Sequence, residues 1–383
     1  MISKSILNTH YPIKDLSEVA EFLDNQRRPI TASNRIAGPY PYYGANGQQD
    51  SVCDYIFDEP LILLAEDGGL FDEPDRGIAY AIDGKTWVNN HAHVLRPHSG
   101  VNLRYLLRVL ENYDVTPWIT GTTRAKLTKA GASKIAIPLP SPDEQKRIAG
   151  ILDAADALRV KRRKALAQLD ILLQSTFHDM FGDPVTNPFR FEHIPFHLCG
   201  KFISGSTPSK ERPDYWDGAI PWVSPKDMKK DFINTSIDKI SESALNETNI
   251  KFIDSGHILI VIRGMILAHS FPCAINTMPV TFNQDMKAIK LNSQLVPLYV
   301  LQCLKELKRG ILKEISNSGH GTKKLDKKSM EKIFIPMPSL NHQEKFAEIA
   351  TQVESQKQIM RAHLAELDTL FASLQHRAFN GEL

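Results

Sequence analysis

Apolar residues recur along this chain in two registers. In two long stretches they step by three and four. The first stretch carries Ile148, Ile151, Leu152, Ala155, Leu158, Leu166, Leu169, Leu172 and Leu173. The second carries Phe346, Ile349, Val353, Ile359, Met360, Leu364, Leu367, Leu370, Phe371 and Leu374. That spacing lines one face of an α-helix. Ser141, Pro142, Asp143 and Glu144 start the first helix: a side-chain acceptor at the N-cap, a residue of fixed φ behind it, and two acids against the positive end of the dipole. Gly182 and then Pro184 stop it. The second helix starts near Asn341, and Gly381 follows its end. A helix of about 38 residues is on the order of 55 Å long. It has too little globular body beside it to bury its stripe, so the other long helix is the natural partner. Elsewhere the apolar residues run continuously. The runs LILLAEDGG from Leu61 and GHILIVIRGMIL from Gly256 read as buried strands followed by turns.

The two helical stretches are copies of one another. KIAIPLPSPDEQKRIAGIL from Lys134 aligns with KIFIPMPSLNHQEKFAEIA from Lys332 at an offset of 198 residues. Without a gap, that offset also pairs Gly121 with Gly319, Leu127 with Leu325, Gln145 with Gln343, Leu169-Asp170 with Leu367-Asp368, and Phe181 with Phe379. About a third of the aligned positions are identical. The period is far beyond the roughly 20 to 50 residues of solenoid repeats, so it marks a duplicated half-molecule. The mixed regions ahead of each helix, about 1–133 and 184–331, share little sequence. The expected fold is α+β: two globular α/β-type regions separated by a pair of long helices forming a coiled coil. A duplicated unit closing on itself gives pseudo-two-fold symmetry, which favours an antiparallel pair. The boundaries expected are a globular domain over 1–140, a helix over 141–183, a second globular domain over 184–338 and a second helix over 339–383.

Composition narrows the class of protein. Of 383 residues, 42% are hydrophobic and 23% charged, the balance of a folded globular chain. The net charge of +2 leaves nucleic-acid binding open, because local clustering decides it. Cys53, Cys199, Cys273 and Cys303 are scattered without C-x-x-C spacing, which fits reduced thiols. The N-terminal segment has no apolar run of signal-peptide length, and the longest apolar stretch, residues 258–262, is too short for a bilayer. The expected location is cytoplasmic, with no membrane partner.

Chemistry-bearing patterns are few. There is no G-x-x-x-x-G-K-[ST] phosphate loop, no Asn/Asp-Pro-Pro-aromatic tetrapeptide of the amino-methyltransferase kind, and no nucleophile elbow. His91 and His93 form an H-x-H pair for which a structural role outweighs metal ligation, and no metal site is expected. Cations and flat aromatic or amide groups do gather: Arg27, Arg28, Tyr40, Tyr42, Tyr43 and Asn46 in the first region, and Lys210, Arg212, Tyr215, Lys226, Lys229 and Arg263 in the second. Beside each helix start lies a Gly-Thr element with Arg124 and Lys126, or Lys323 and Lys324. Such groups suit base edges and phosphates.

Two unlike globular regions, each followed by G-T…L…I-x-I-P-x-P…Q-x-R-I and a long helix, resemble the specificity subunits of type I restriction-modification systems. The resemblance rests on Ile135 to Pro140 with Glu144 to Ile148, and on Ile333 to Pro338 with Gln343. YPYYGANG, GSTPS and NQDMKAI also look like pieces of that family's target-recognition domains. His342 to Phe346 depart from the usual E-Q-x-R-I. The resemblance implies a non-catalytic chain that reads a bipartite, asymmetric double-stranded DNA site, one half per domain, with the helices setting the gap. It implies two copies of an adenine-N6 methyltransferase subunit and an ATP-dependent restriction and motor subunit as partners. S-adenosylmethionine, ATP and Mg would sit on those partners, with no cofactor in this chain. Docking is expected through Gln145, Arg147, Ile148, Ile151, Gln343, Phe346 and Ile349. A specificity-like subunit of another phage-defence or DNA-modification system, a protein-binding helical scaffold, and a catalytic methyltransferase or nuclease are the rival readings.

Overall fold

The computed structural model describes residues 9–71, 77–121, 124–317 and 322–383. The first eight residues and Gly319 lie outside that set. The chain forms two compact units, Met1–Lys164 with Arg361–Leu383, and Ala165–Met360. Each unit therefore takes one globular region and part of both long helices. Those helices run over Pro142–Phe181 and Leu340–Asn380. Ser141 Oγ accepts the Glu144 N–H at 3.4 Å at the start of the first. Gly182 and Gly381 end the helices with φ of +71° and +80°, where any Cβ would be strained.

In the first unit an antiparallel sheet orders Ala20–Phe22, Ala92–Pro97, Leu61–Ala65 and Ala79–Ile82. Every residue of Leu61–Ala65 is buried, as expected of a central strand reading as an unbroken apolar run. A second sheet orders Gly47–Val52, Ala37–Gly44, Lys85–Val88 and Phe57–Asp58. In the second unit the larger sheet orders Gly200–Ser204, Met286–Leu291, Ile258–Val261, Cys273–Asn276 and Phe232–Ile233. The smaller orders Asp238–Ile240, Ile220–Val223 and Thr281–Phe282.

The two globular regions, so dissimilar in sequence, are one fold built twice. Ile62, Leu63, Leu64 and Ala65 pair with Leu95, Val94, His93 and Ala92. Ile258, Leu259, Ile260 and Val261 pair with Ile289, Ala288, Lys287 and Met286. A parallel pairing joins Tyr42-Tyr43 to Trp87-Val88 in one unit and Trp222-Val223 to Thr281-Phe282 in the other. The Ile13–Asp15 strand pairs with Ala136–Pro138, and His193–Pro195 with Phe334–Pro336. The lack of sequence likeness was a poor guide because ladder hydrogen bonds come from the backbone, whose pattern survives replacement of the side chains.

The repeat extends to how each helix start is held. Gln145 is buried; its amide donates to the carbonyls of Pro140 and Gly100, and its oxygen accepts the Asn102 N–H. Gln343, equally buried, donates to Pro338 and Gln294 and accepts from Val296. Tyr105 and Tyr299 donate their hydroxyls to the Pro138 and Pro336 carbonyls at 2.6 and 2.8 Å.

The far end of each helix closes the other half's core. In the first unit Phe379 packs edge-on against Tyr105, ring centres 6.1 Å apart. In the second, Phe181 packs against Tyr299 at 4.8 Å. Within each unit the helix segments are antiparallel. Arg159 meets Asp368 at 2.6 Å and Arg147 meets the Leu383 carbonyl at 2.8 Å, while Lys357 meets Asp170 at 2.6 Å and Phe177 packs edge-on against Phe346. Arg159–Asp368 and Lys357–Asp170 are the same ion pair under the 198-residue offset. Of the predicted stripes, Leu158, Leu172, Ile359 and Leu370 are about half exposed. Each helix serves two cores in turn, so no single face stays buried along its length. Among the described residues, no helix is long and apolar enough to cross a membrane.

Candidate nucleic-acid interface

In both units one corner of the fold gathers polar side chains: the end of the central strand, the turn before its neighbouring strand, and residues 124–127 or 323–325. In the first unit the Glu66 and Asp67 N–H groups both donate to the His91 carbonyl, and the Leu127 N–H donates to the Glu66 carbonyl. In the second, the Ile262 and Arg263 N–H groups donate to the Asp285 carbonyl, and the Leu325 N–H to the Ile262 carbonyl. Asp67 thus corresponds to Arg263, His91 to Asp285 and Lys126 to Lys324. The charges are inverted: Asp67 binds His91 and Arg124, whereas Arg263 faces Asp285 at 3.9 Å. One scaffold carries two unlike polar surfaces.

In the second unit this corner borders an open cleft of about 640 Å³ lined by Thr207, Lys210, Trp216, Lys226, Gln284 and Asp285, among others. Lys226 pairs with Asp238 at 2.6 Å. Lys210 is exposed at the rim. Lys323 and Lys324 form a short strand against Ser316–Asn317, and the Lys324 backbone pairs with that of Arg263 in an isolated antiparallel β-bridge. Lys229 is exposed but does not line the cleft. Arg212 and Tyr215 form a separate cluster: the guanidinium lies 4.3 Å over the ring and pairs with Asp214, and Tyr215, largely buried, donates to Glu247.

In the first unit Arg124 and Lys126 stand at the corner with Asn46, whose amide donates to the Gly68 carbonyl at 2.9 Å. Arg28 is exposed, and Tyr40 and Tyr43 are half-buried. Tyr40 packs against Tyr55 and takes Lys85 over its ring. Two expected contacts are overturned by burial. Tyr42 is a core residue, 1% exposed, with its hydroxyl tied to Ile30. Arg27 is enclosed between Asp24, Glu66 and the Ala92 carbonyl. Its partners lie up to 65 residues away, so the sequence showed a free cation where the fold makes an internal one. Docking through Gln145, Ile148, Gln343 and Phe346 is likewise overturned: all four are buried in their own units. Arg147, Ile151 and Ile349 keep surface.

Among the described residues, Asp24, Glu66 and His93 are the one His/Cys/carboxylate group close enough to share a metal ion. Their donor atoms are engaged. His93 Nδ1 meets Asp24 at 2.7 Å and Nε2 meets the Leu127 carbonyl at 2.9 Å, while Glu66 holds Arg27 and Lys126. Burial pushes the Asp24 carboxyl up, but His93, the Val94 N–H and Arg27 outweigh it and hold it below the usual range. Glu66 is lowered in the same way, Arg27 and Lys126 overcoming its desolvation. Two resident cations and a ring with both nitrogens committed make this a structural ion network. The four cysteines are free, and burial pushes the Cys199 thiol up to about 12, away from nucleophilic use.

The architecture defines a duplicated reader: two copies of one polar-faced domain, each clamped to a pair of long antiparallel helix segments. The chain belongs to the type I restriction modification DNA specificity domain family, whose model matches residues 9–169 and again 198–369. It is 43% identical over 145 residues to a putative type I restriction enzyme specificity subunit of Haemophilus influenzae, covering 38% of this chain and 37% of that one. It is 30% identical over 234 residues to the EcoR124I/EcoR124II specificity subunit of Escherichia coli, covering 58% and 56%. The matched segments thus span little more than a third and a half of those relatives. The fold is similar to that of a type I S subunit from M. genitalium, with a TM-score of 0.61 at 15% identity over 97% of this chain and 96% of that one. It is also similar to a chain solved in work on assembly of the type I R-M system, with a TM-score of 0.53 at 17% identity over 97% and 98%.

Proposed function

We propose that this chain is the DNA-specificity subunit of a type I restriction-modification complex, reading a bipartite, asymmetric double-stranded site. One observation carries the reading: the same corner of the same fold occurs in both units with different, partly inverted side chains. Two unlike reading surfaces on one scaffold suit two unlike half-sites, whereas a symmetric site needs two alike. The helices set the gap between the half-sites, since spacing follows from protein geometry. Arg124, Lys126, Lys210, Lys323 and Lys324 supply phosphate contacts, which position the protein without reading sequence.

Chemistry belongs to the partners in this reading. Two methyltransferase subunits dock on the helices, flip out the target adenine and methylate N6 from S-adenosylmethionine. A restriction and motor subunit brings ATP and Mg. Each unit offers its own docking surface: Leu158 and Val160 with Arg147 and Ile151 in the first, and Ile171, Leu172 and Ile349 in the second. The complex works in the cytoplasm, where DNA is. The test is a genome-wide map of methylated adenines with and without this gene. The reading predicts a split motif that vanishes on deletion; methylation unchanged by deletion overturns it.

A further inference from the structure

The repeated corner contains the same tight turn in both units. In the first unit the Asn89 side-chain oxygen accepts the His91 N–H at 2.8 Å, and the Asn89 N–H donates to the Tyr43 carbonyl. In the second, the Asn283 side chain accepts the Asp285 N–H at 2.6 Å, and the Asn283 N–H donates to the Val223 carbonyl. These are the same side-chain-closed turn, and each closes over one residue. That residue is Asn90 in one unit and Gln284 in the other, and both are exposed. The turn is closed by Asn89 and Asn283, so it places no demand on the side chain at its tip. Yet both tips carry a carboxamide.

The surroundings point to base edges rather than to phosphates alone. Gln284 lines the cleft between Lys210, Lys226 and Asp285, and its side-chain oxygen accepts the Thr207 hydroxyl, which orients the amide. Asn90 is next to His91, itself paired with Asp67. A surface that only bound phosphates would be weakened by Asp67 and Asp285; base edges offer donors as well as acceptors. A carboxamide is the one uncharged side-chain group that pairs bidentately with adenine, accepting from N6 and donating to N7.

The geometry assigns Asn90 and Gln284 as the matched base-reading residues of the two units, each presenting its carboxamide to an adenine in the major groove. The assignment rests on the DNA-specificity reading above. The one-methylene difference in reach between Asn and Gln then contributes to the difference between the half-sites.

The test expresses the full chain with its methyltransferase subunit in a host free of other adenine methylation and maps the methylated motif. Gln284→Ala is expected to relax one A·T position in one half-site only, preference there falling roughly 5- to 150-fold. Asn90→Ala is expected to relax one A·T position in the other half-site. Gln284→Asn and Asn90→Gln keep polarity and size close to the original, guard against misfolding, and should weaken the same positions. A motif unchanged in all four variants, or methylation lowered evenly at every site without relaxed sequence, overturns the assignment. A wild-type complex that leaves no split motif removes the underlying reading instead, which separates the two failures.

Discussion

Phe379 lies at the far end of the second long helix, yet it belongs to the core of the first unit. It is 0% exposed and packs edge-on against Tyr105. Phe379→Ala removes a ring from that core. A buried aromatic covers roughly 150 Å² or more, which at about 25 cal/mol per Å² comes to about 4 kcal/mol. The edge-to-face geometry adds about 1 kcal/mol, and core Phe→Ala changes generally cost about 3–5 kcal/mol. The loss should fall on the first unit. Hydrogen exchange by mass spectrometry reads it: amides of helix Leu103–Leu110, which carries Tyr105, should exchange several hundred-fold faster or more. Those of helix Pro297–Glu306 should change little. Phe181→Ala should reverse the pattern through Tyr299. Unchanged protection of residues 103–110 in Phe379→Ala would refute the claim that each core is closed from the distant half.

Three further outcomes follow from other contacts. Gln145→Ala and Gln343→Ala each strip three hydrogen bonds from a buried amide, one of them fully buried, and should cost about 2–4 kcal/mol, allowing about 1–3 kcal/mol for each polar group left unpaired and partial relaxation; a loss below 1 kcal/mol in urea denaturation would contradict this. Asp24 and Glu66 have carboxyls held below their unfolded values, so their stabilisation is complete above about pH 4–5 and fades as pH falls through the lower folded values. The first unit's urea midpoint should therefore drop on acidification, and Asp24→Asn should flatten that drop; parallel curves would count against the network. Lys210→Ala should reduce the slope of log affinity against log salt by about 0.9 for the assembled complex on duplex DNA, with sequence preference retained; an unaltered slope removes Lys210 from the phosphate contacts.

The duplicated helices were legible because their constraints are side-chain constraints. Gln145 and Gln343 make the same three hydrogen bonds, and Phe181 and Phe379 plug equivalent cores, so an ungapped offset of 198 finds both. The equivalence of the globular regions was hidden. Asn89 and Asn283, or Tyr105 and Tyr299, stand 194 apart, while Asp67 and Arg263 stand 196 apart, so gaps break the register. At the polar corner the side chains are also the part that differs. Arg27 misled because Glu66 and the Ala92 carbonyl, which enclose it together with the nearby Asp24, come from segments distant in sequence, a matter of topology rather than local pattern. Asn90 and Gln284 were passed over because a single amide in a turn has no signature until two such turns are seen to coincide.

The most direct measurement exchanges one reader. Replacing residues 184–338 with the corresponding domain of a specificity subunit that methylates a different site, then mapping methylated adenines, isolates the contribution of one unit. The account predicts a hybrid motif in which one half is new, the other half is retained and the gap is unchanged. A motif altered in both halves, or in neither while methylation persists, would contradict it.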